Sequence, residues 1–265
     1  MKTKKALITS FFILLGITSV YSSESDIVVP PAGENMDALF NDPQSHLINS
    51  QMGIIGLIQN TRYMLRKKPE SYELNWLAAA LNYCYANYYN TSSSLRKRYF
   101  EQSVKYSQKA IEIKSDGVSG HFWLGMSYAK WAEVHGILRS LFYAPRVLEQ
   151  MNKVIELQPD FFRGIPWGLR ASVYAFAPGR PISVGNMEKA ESDMQEAFKY
   201  GNDFRTNYQI YAGILIHQKN WEKALEVINE GLAIPPDDSI KLIDDFSIDE
   251  LKRYKEQVEK ELAGR

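Results

Sequence analysis

Four stretches of this chain of 265 residues carry one pattern. It consists of an aromatic or imidazole side chain, a second residue three places on, a small residue four places on and a bulky residue seven places on. The sets are Trp76, Ala79, Ala80, Tyr83; His121, Leu124, Gly125, Tyr128; Trp167, Arg170, Ala171, Tyr174; and Tyr208, Tyr211, Ala212, Leu215. That spacing keeps each set on one face of a helix. The sets begin 45, 46 and 41 residues apart. Recurrence at a near-constant period marks a repeat array, in which each unit buries its apolar face against the next.

A second series of helices repeats between these. In "EKALEVINEGLAIPPD", Ala224, Ile228, Gly231 and Pro236 stand at the offsets of a tetratricopeptide (TPR) signature, so residues 205 to 238 resemble one complete repeat of that family. "EKAESDMQEAFKYGN" carries the same idea with Ala190, Met194 and Ala197, and weaker versions surround Ala110 and Val154. From first pattern residue to last small residue the repeats span 34, 33, 30 and 23 positions, so the first three carry insertions of 11, 10 and 7 residues.

Helices are expected over 47–67, 71–90, 94–114, 119–135, 137–157, 162–176, 187–200, 204–218, 220–233 and 247–263. Lys68-Pro69, Asp116-Gly117, Pro159-Asp160, Gly201-Asn202-Asp203 and Pro235-Pro236 punctuate them. The fold class is all-α: a TPR-like α-solenoid of about four helix hairpins with inserted long helices or loops. Ile248, Leu251, Tyr254, Val258 and Leu262 give the last helix one apolar face, suited to capping the stack.

The N-terminus reads differently. Lys2, Lys4 and Lys5 precede an apolar run from Ala6 to Val20, followed by small residues suited to cleavage after Ser22. This pattern predicts a cleaved signal peptide over 1–22; the rival reading, an uncleaved anchor, needs about 20 apolar residues to span a bilayer. Residues 23–45 are polar, Pro-containing and aperiodic, a linker before one repeat domain over 46–265. Cleavage leaves 28 basic and 31 acidic residues. So balanced a chain presents no overall field to recruit nucleic acid or an anionic membrane. The lone cysteine, Cys84, forms no internal disulfide and stands far from the cleavage site, so no lipid-accepting cysteine is present and the expected location is the periplasm.

No reaction chemistry is legible. His121 and His135 lie about 21 Å apart along one helix, too far to share a metal. No G-x-S-x-G, H-E-x-x-H, Walker or Rossmann pattern occurs, so no catalytic residue, metal or cofactor is expected and the chain is read as non-enzymatic. Arg62, Arg66, Lys67 and Lys68 with Arg96, Lys97 and Arg98 are either a solvated face or a surface for an acidic partner.

The aromatics carry the functional expectation. Trp76, Tyr83, Trp123, Tyr128, Trp167 and Tyr174 are expected to shape the inner surface of the solenoid, or else to be a bulky core. In "FAPGRPISVGNMEKA", the prolines, glycines and Asn186 have backbone reasons to build a long turn, and Arg180 and Ser183 are the candidate polar contacts at a groove mouth. An enclosed aromatic channel would suit a ligand, and an open polar groove would suit an extended peptide.

Residues 162 to 236, above all "GIPWGLRASVYAFAPGRPISVGNMEKAESDMQEA", resemble the periplasmic T-component family of tripartite ATP-independent (TRAP) transporters. The resemblance implies an exported helical-repeat protein working beside a periplasmic solute-binding protein, homo-oligomeric with a trimer favoured, and binding a small apolar or carboxylate ligand. Many members of that family are lipoproteins, which this chain's signal does not match. The alternative is a general TPR scaffold that assembles proteins through an extended-peptide groove.

Overall fold

The computed structural model describes residues 47–89 and 91–264. The expected signal peptide and the whole of the expected linker therefore lie outside the described residues. Among the described residues ten α-helices follow one another: α1 (Gln51–Lys67), α2 (Tyr72–Tyr88), α3 (Ser93–Ile113), α4 (Val118–Val134), α5 (Ile137–Leu157), α6 (Ile165–Phe176), α7 (Met187–Tyr200), α8 (Arg205–His217), α9 (Trp221–Ala233) and α10 (Lys241–Ala263). Their starts are set by local chemistry. Ser50, Ser71, Ser92 and Asn186 each turn a side-chain oxygen onto the backbone N–H three residues on, at 3.1, 3.2, 3.4 and 2.9 Å. Each satisfies a donor that the first turn of a helix otherwise leaves unpaired.

Helices α2/α3, α4/α5, α6/α7 and α8/α9 pair as hairpins, α1 lies on α2, and neighbouring hairpins stack through α3 on α4 and α5 on α6. Small side chains permit the close approaches. The Ser103 hydroxyl lies 2.7 Å from the Ala79 carbonyl oxygen and 2.6 Å from the Ser127 hydroxyl, tying α3 to both α2 and α4. In the third repeat Arg170 replaces an apolar pattern residue and forks onto Asp193 of α7 with two 2.7 Å bonds, so an ion pair substitutes for packing there. Between α5 and α6 the chain passes through three successive left-handed residues, Phe162, Arg163 and Gly164. A Cβ at Gly164 would stand 2.6 Å from the Ala197 carbonyl oxygen, so only glycine fits that turn.

The long turn after α6 is a built structure. Gly179 and Gly185 form an isolated β-bridge, the Gly185 N–H donates to the Pro178 carbonyl at 2.9 Å, and the Asn186 N–H donates to the Tyr174 carbonyl at 2.9 Å. A Cβ at Gly185 would sit 2.0 Å from the Ala177 carbonyl oxygen and 2.8 Å from Pro178. Gly185→Ala is therefore expected to destabilise the fold by about 1–3 kcal/mol, the usual cost of overpacking. Urea denaturation checks the magnitude, and an unchanged midpoint would show that the turn yields freely.

The last helix departs from expectation. It begins at Lys241, six residues before the expected start, and it packs on α8 and α9 while reaching across to α2. Phe246 meets the ring of Tyr88 edge-on at 5.1 Å. It is thus more than an end cap, since its first turns bridge the last repeat to the first.

Candidate functional site

The inner helices α2, α4, α6 and α8, the first turns of α5 and the crossing α10 enclose a channel of about 680 Å³. Tyr83 and Tyr88 come from α2, Met126 and Ala129 from α4, Leu169 and Val173 from α6, Ile210 from α8, and Ile243, Phe246 and Tyr254 from α10. Ile137, Leu141 and Ala144 of α5, with Phe176 and Pro178 after α6, border it. The wall is largely apolar, and its polar groups are few. Asn87, Thr206, Gln209 and Ser247 offer amides and hydroxyls; Lys130, Glu133 and Glu250 carry the charge. Lys130 is already bonded to Glu133 at 2.9 Å, and Glu250 to Arg253.

Burial pushes the Tyr83 hydroxyl well above its ordinary range, with the charges of Tyr88, Cys84 and Glu133 adding to the rise. The Tyr88 hydroxyl is raised as well, again chiefly by burial. Both phenols stay neutral at physiological pH and act here as apolar rings with a polar end. Cys84, on the same helix, is buried and its thiol is pushed up to about 12.

Of the eight residues singled out from the sequence, Tyr83 alone lines this channel. Trp76 and Trp123 are buried in the core at 1% and 3% exposure, Trp123 lying 5.4 Å from the Tyr83 ring. Tyr128 packs against Tyr143 at 5.1 Å and accepts a hydrogen bond from Gln108. Trp167 turns outward, donating from Nε1 to the Pro159 carbonyl at 2.8 Å with the Arg170 guanidinium over its ring at 4.7 Å. Tyr174 faces α7, where Lys189 lies over it at 5.4 Å. Arg180 is exposed on the turn, and the Ser183 hydroxyl oxygen is enclosed without a hydrogen-bond partner. The repeating pattern that reveals the hairpins marks the faces the hairpins themselves bury. In the third and fourth repeats channel-lining residues lie two and five positions beyond the first pattern residue, at Leu169 and Ser172 and at Ile210 and Gly213, and in the second repeat Met126 lies at five. That offset is the signal that points inward, because two positions turn a helix by about 200°.

His121 and His217 are engaged in structure. His121 shares hydrogen bonds with Gln150 and with the Ser115 carbonyl, at 2.8 and 3.0 Å. His217, at the end of α8, lies 4.9 Å from the Phe176 ring. Among the described residues no three His, Cys, Asp or Glu side chains are grouped to hold a metal.

A second constellation fixes how α10 crosses the channel. Arg205, the first residue of α8, is 2% exposed; its Nε donates to the Gly231 carbonyl at 3.0 Å, and its two terminal nitrogens donate to the Ile234 carbonyl and the Asp244 carboxylate. Asp244 also accepts from the Asp237 N–H at 3.1 Å. Burial raises the Asp237 carboxyl, but hydrogen bonds from Ser239 and the Arg163 guanidinium 2.9 Å away outweigh it and hold the group below its ordinary value.

Stacked helical hairpins around a concave channel define the class of this protein: a TPR-like α-solenoid. Among solved structures, that of a thermophilic TPR protein from Thermus thermophilus is similar, with a TM-score of 0.58 and 14% identity over 80% of this chain and 98% of its own. That likeness shows the fold. A family model described as regulator of microtubule dynamics protein 1-3 matches residues 34–164, just under half of the chain. No curated protein matches the sequence.

These findings overturn the resemblance to TRAP transporter T-components. The matching family is a different one, and it covers the first two repeats, whereas the resemblance rested on residues 162 to 236. The structure shows why that stretch misled: Gly164, Pro166, Pro178, Gly185 and Asn186 each meet a backbone requirement of a helix end or a tight turn. Any long helical hairpin draws on the same residues. The solute-binding partner and trimeric assembly, which came with the resemblance, lose their basis.

Proposed function

We propose that this chain is a non-enzymatic interaction scaffold whose concave channel takes up an apolar segment of a partner polypeptide. One observation carries the reading: apolar side chains from the inner helices and α10 converge on a single channel, with hydroxyls and amides among them. Apolar walls bury a partner's side chains, and Asn87, Thr206, Gln209 and Ser247 can meet its backbone groups, which a dry site would otherwise leave unpaired. The description of the matching family names microtubule dynamics, a process of protein assembly, which accords with a polypeptide partner.

The volume supports a second occupant of the same site. At about 680 Å³ the channel falls within the ~300–1,000 Å³ range of small-molecule pockets. A carboxylate gains little there, because Lys130, the one cationic side chain among the described lining residues, is paired with Glu133. A small ligand would be an uncharged apolar body.

Ser172 projects from α6 into the channel, and Ser172→Trp fills it. A fluorescein-labelled peptide of alternating leucine and serine and the neutral fluorophore N-phenyl-1-naphthylamine serve as probes. Saturable binding of the peptide, displacement of the fluorophore by it, and at least a tenfold weakening in Ser172→Trp are the expected results, the last from a lost ~1.4 kcal/mol or more of apolar contact. Binding of the fluorophore with none of the peptide would favour the small-molecule occupant. Binding of neither would remove the channel as a site.

A further inference from the structure

We propose that the two lengthened hairpin ends at the channel mouth form a docking surface for an anionic lipid bilayer. The proposal is independent of what fills the channel. Among the described residues eight large hydrophobic side chains are exposed, and five of them occupy two short segments: Ile137, Leu138 and Phe142 at 77, 78 and 60% exposure, and Phe176 and Ile182 at 50 and 75%. Both segments belong to repeats with insertions, as lengthened helices in the second and as a long turn in the third, and both border the same channel, through Ile137 and Leu141 on one side and Phe176 and Pro178 on the other. Clustered apolar exposure of this kind marks a surface that meets something.

Charge identifies what it meets. From Val134 to Leu148 and from Tyr174 to Met187 there is no Asp or Glu, while Arg139, Arg146 and Arg180 are exposed there, in a chain whose 31 cations and 31 acids balance overall. The nearest acids in sequence are Glu133, bonded to Lys130, and then Glu149 and Glu188 just outside the segments. On α5, Leu138 and Phe142 stand four residues apart with Arg139 and Arg146 beside them, so one stripe carries both apolar and cationic groups. The Arg146 guanidinium lies over the rings of Phe142 and Tyr143 at 4.8 and 4.9 Å. Apolar prongs ringed by arginine suit the interface of an anionic membrane, where aromatic and aliphatic groups enter the headgroup boundary and cations stay at its surface. No helix among the described residues is long and apolar enough to cross a membrane.

The test uses the full chain with a cysteine placed at Leu138 or Ile182 and labelled with an environment-sensitive nitrobenzoxadiazole dye; Cys84, buried, stays unlabelled. Met52, exposed on α1, takes the label as control. Vesicles of phosphatidylcholine alone and with one quarter phosphatidylserine are added. We expect a blue shift at 138 and 182 but not at 52, only with the anionic vesicles, and a roughly 100-fold weaker partition when Arg139, Arg146 and Arg180 are all changed to Gln, from about tenfold or less per cation. Circular dichroism verifies that the Gln variant is folded. Three results would overturn the proposal: dyes that stay in water while the protein sediments with vesicles, an equal shift on neutral vesicles, or a concentration-dependent shift without vesicles, which would assign the patch to a second copy of the chain.

Discussion

Arg205→Ala is expected to lower the stability of the protein by about 3–5 kcal/mol, the cost of breaking a buried ion pair from one side. The guanidinium is 2% exposed and the Asp244 carboxylate 5%. It also bonds the carbonyls of Gly231, in the last turn of α9, and Ile234 just beyond, which no later helical N–H reaches. Its removal leaves an unpaired carboxylate and two unsatisfied oxygens in the dry junction of α8, α9 and α10. Because α10 is the roof of the channel, its amides should exchange with solvent faster in the variant, ahead of those of α2 and α3. Replacing both partners, as Arg205→Met with Asp244→Leu, should recover part of the loss, since an apolar pair leaves no charge behind although the Gly231 and Ile234 carbonyls stay unpaired. Equilibrium urea unfolding measures all three proteins. A loss within 1 kcal/mol in Arg205→Ala would mean that water reaches this junction.

Trp76→Ala should be comparably severe, at about 3–5 kcal/mol, the usual range for truncating a large buried aromatic side chain. The sequence pattern offers Trp76 as a candidate wall of the inner surface, whereas the structure buries it to 1% exposure within the core of the first repeats. The two placements predict opposite results. A wall residue would lose fluorophore binding with little change in stability. A core residue loses stability, and the fraction that remains folded binds as before. Thermal unfolding and a titration of the same sample decide between them.

Much of the architecture is legible because helix starts and stops are local. Ser71, Ser92 and Asn186 cap helices wherever the rest of the chain lies, and Pro69, Gly117 and Pro159 stop them for reasons within a few residues. The ten expected helices accordingly match the ten observed one for one, although α1 begins four residues and α6 three residues later than expected, and α10 begins six residues earlier. At α10 the sequence misleads because Pro235-Pro236 reads as a break, and the expected helix resumes only at 247. In the structure Asp237 caps a short 3-10 turn and Asp244 is neutralised by Arg205, so the helix begins at once. The candidate site was less legible. Tyr83 and Trp76 are both aromatic, both on α2, seven residues apart, yet one reaches the channel and the other does not.

The amino-acid sequence by itself determined the repeating unit, its period, the hairpin pairing and which repeats carry insertions. All of these follow from side-chain spacing on a 3.6-residue helix and from the conformational limits of Pro, Gly and Asn. Only the tertiary structure decided which helix face looks into the channel, that α10 closes it, and that Arg205 and Asp244, 39 residues apart, share one buried pair. Those features depend on the angle at which each hairpin stacks on the next, and that angle is a sum of many weak contacts between distant residues which no single stretch of chain encodes.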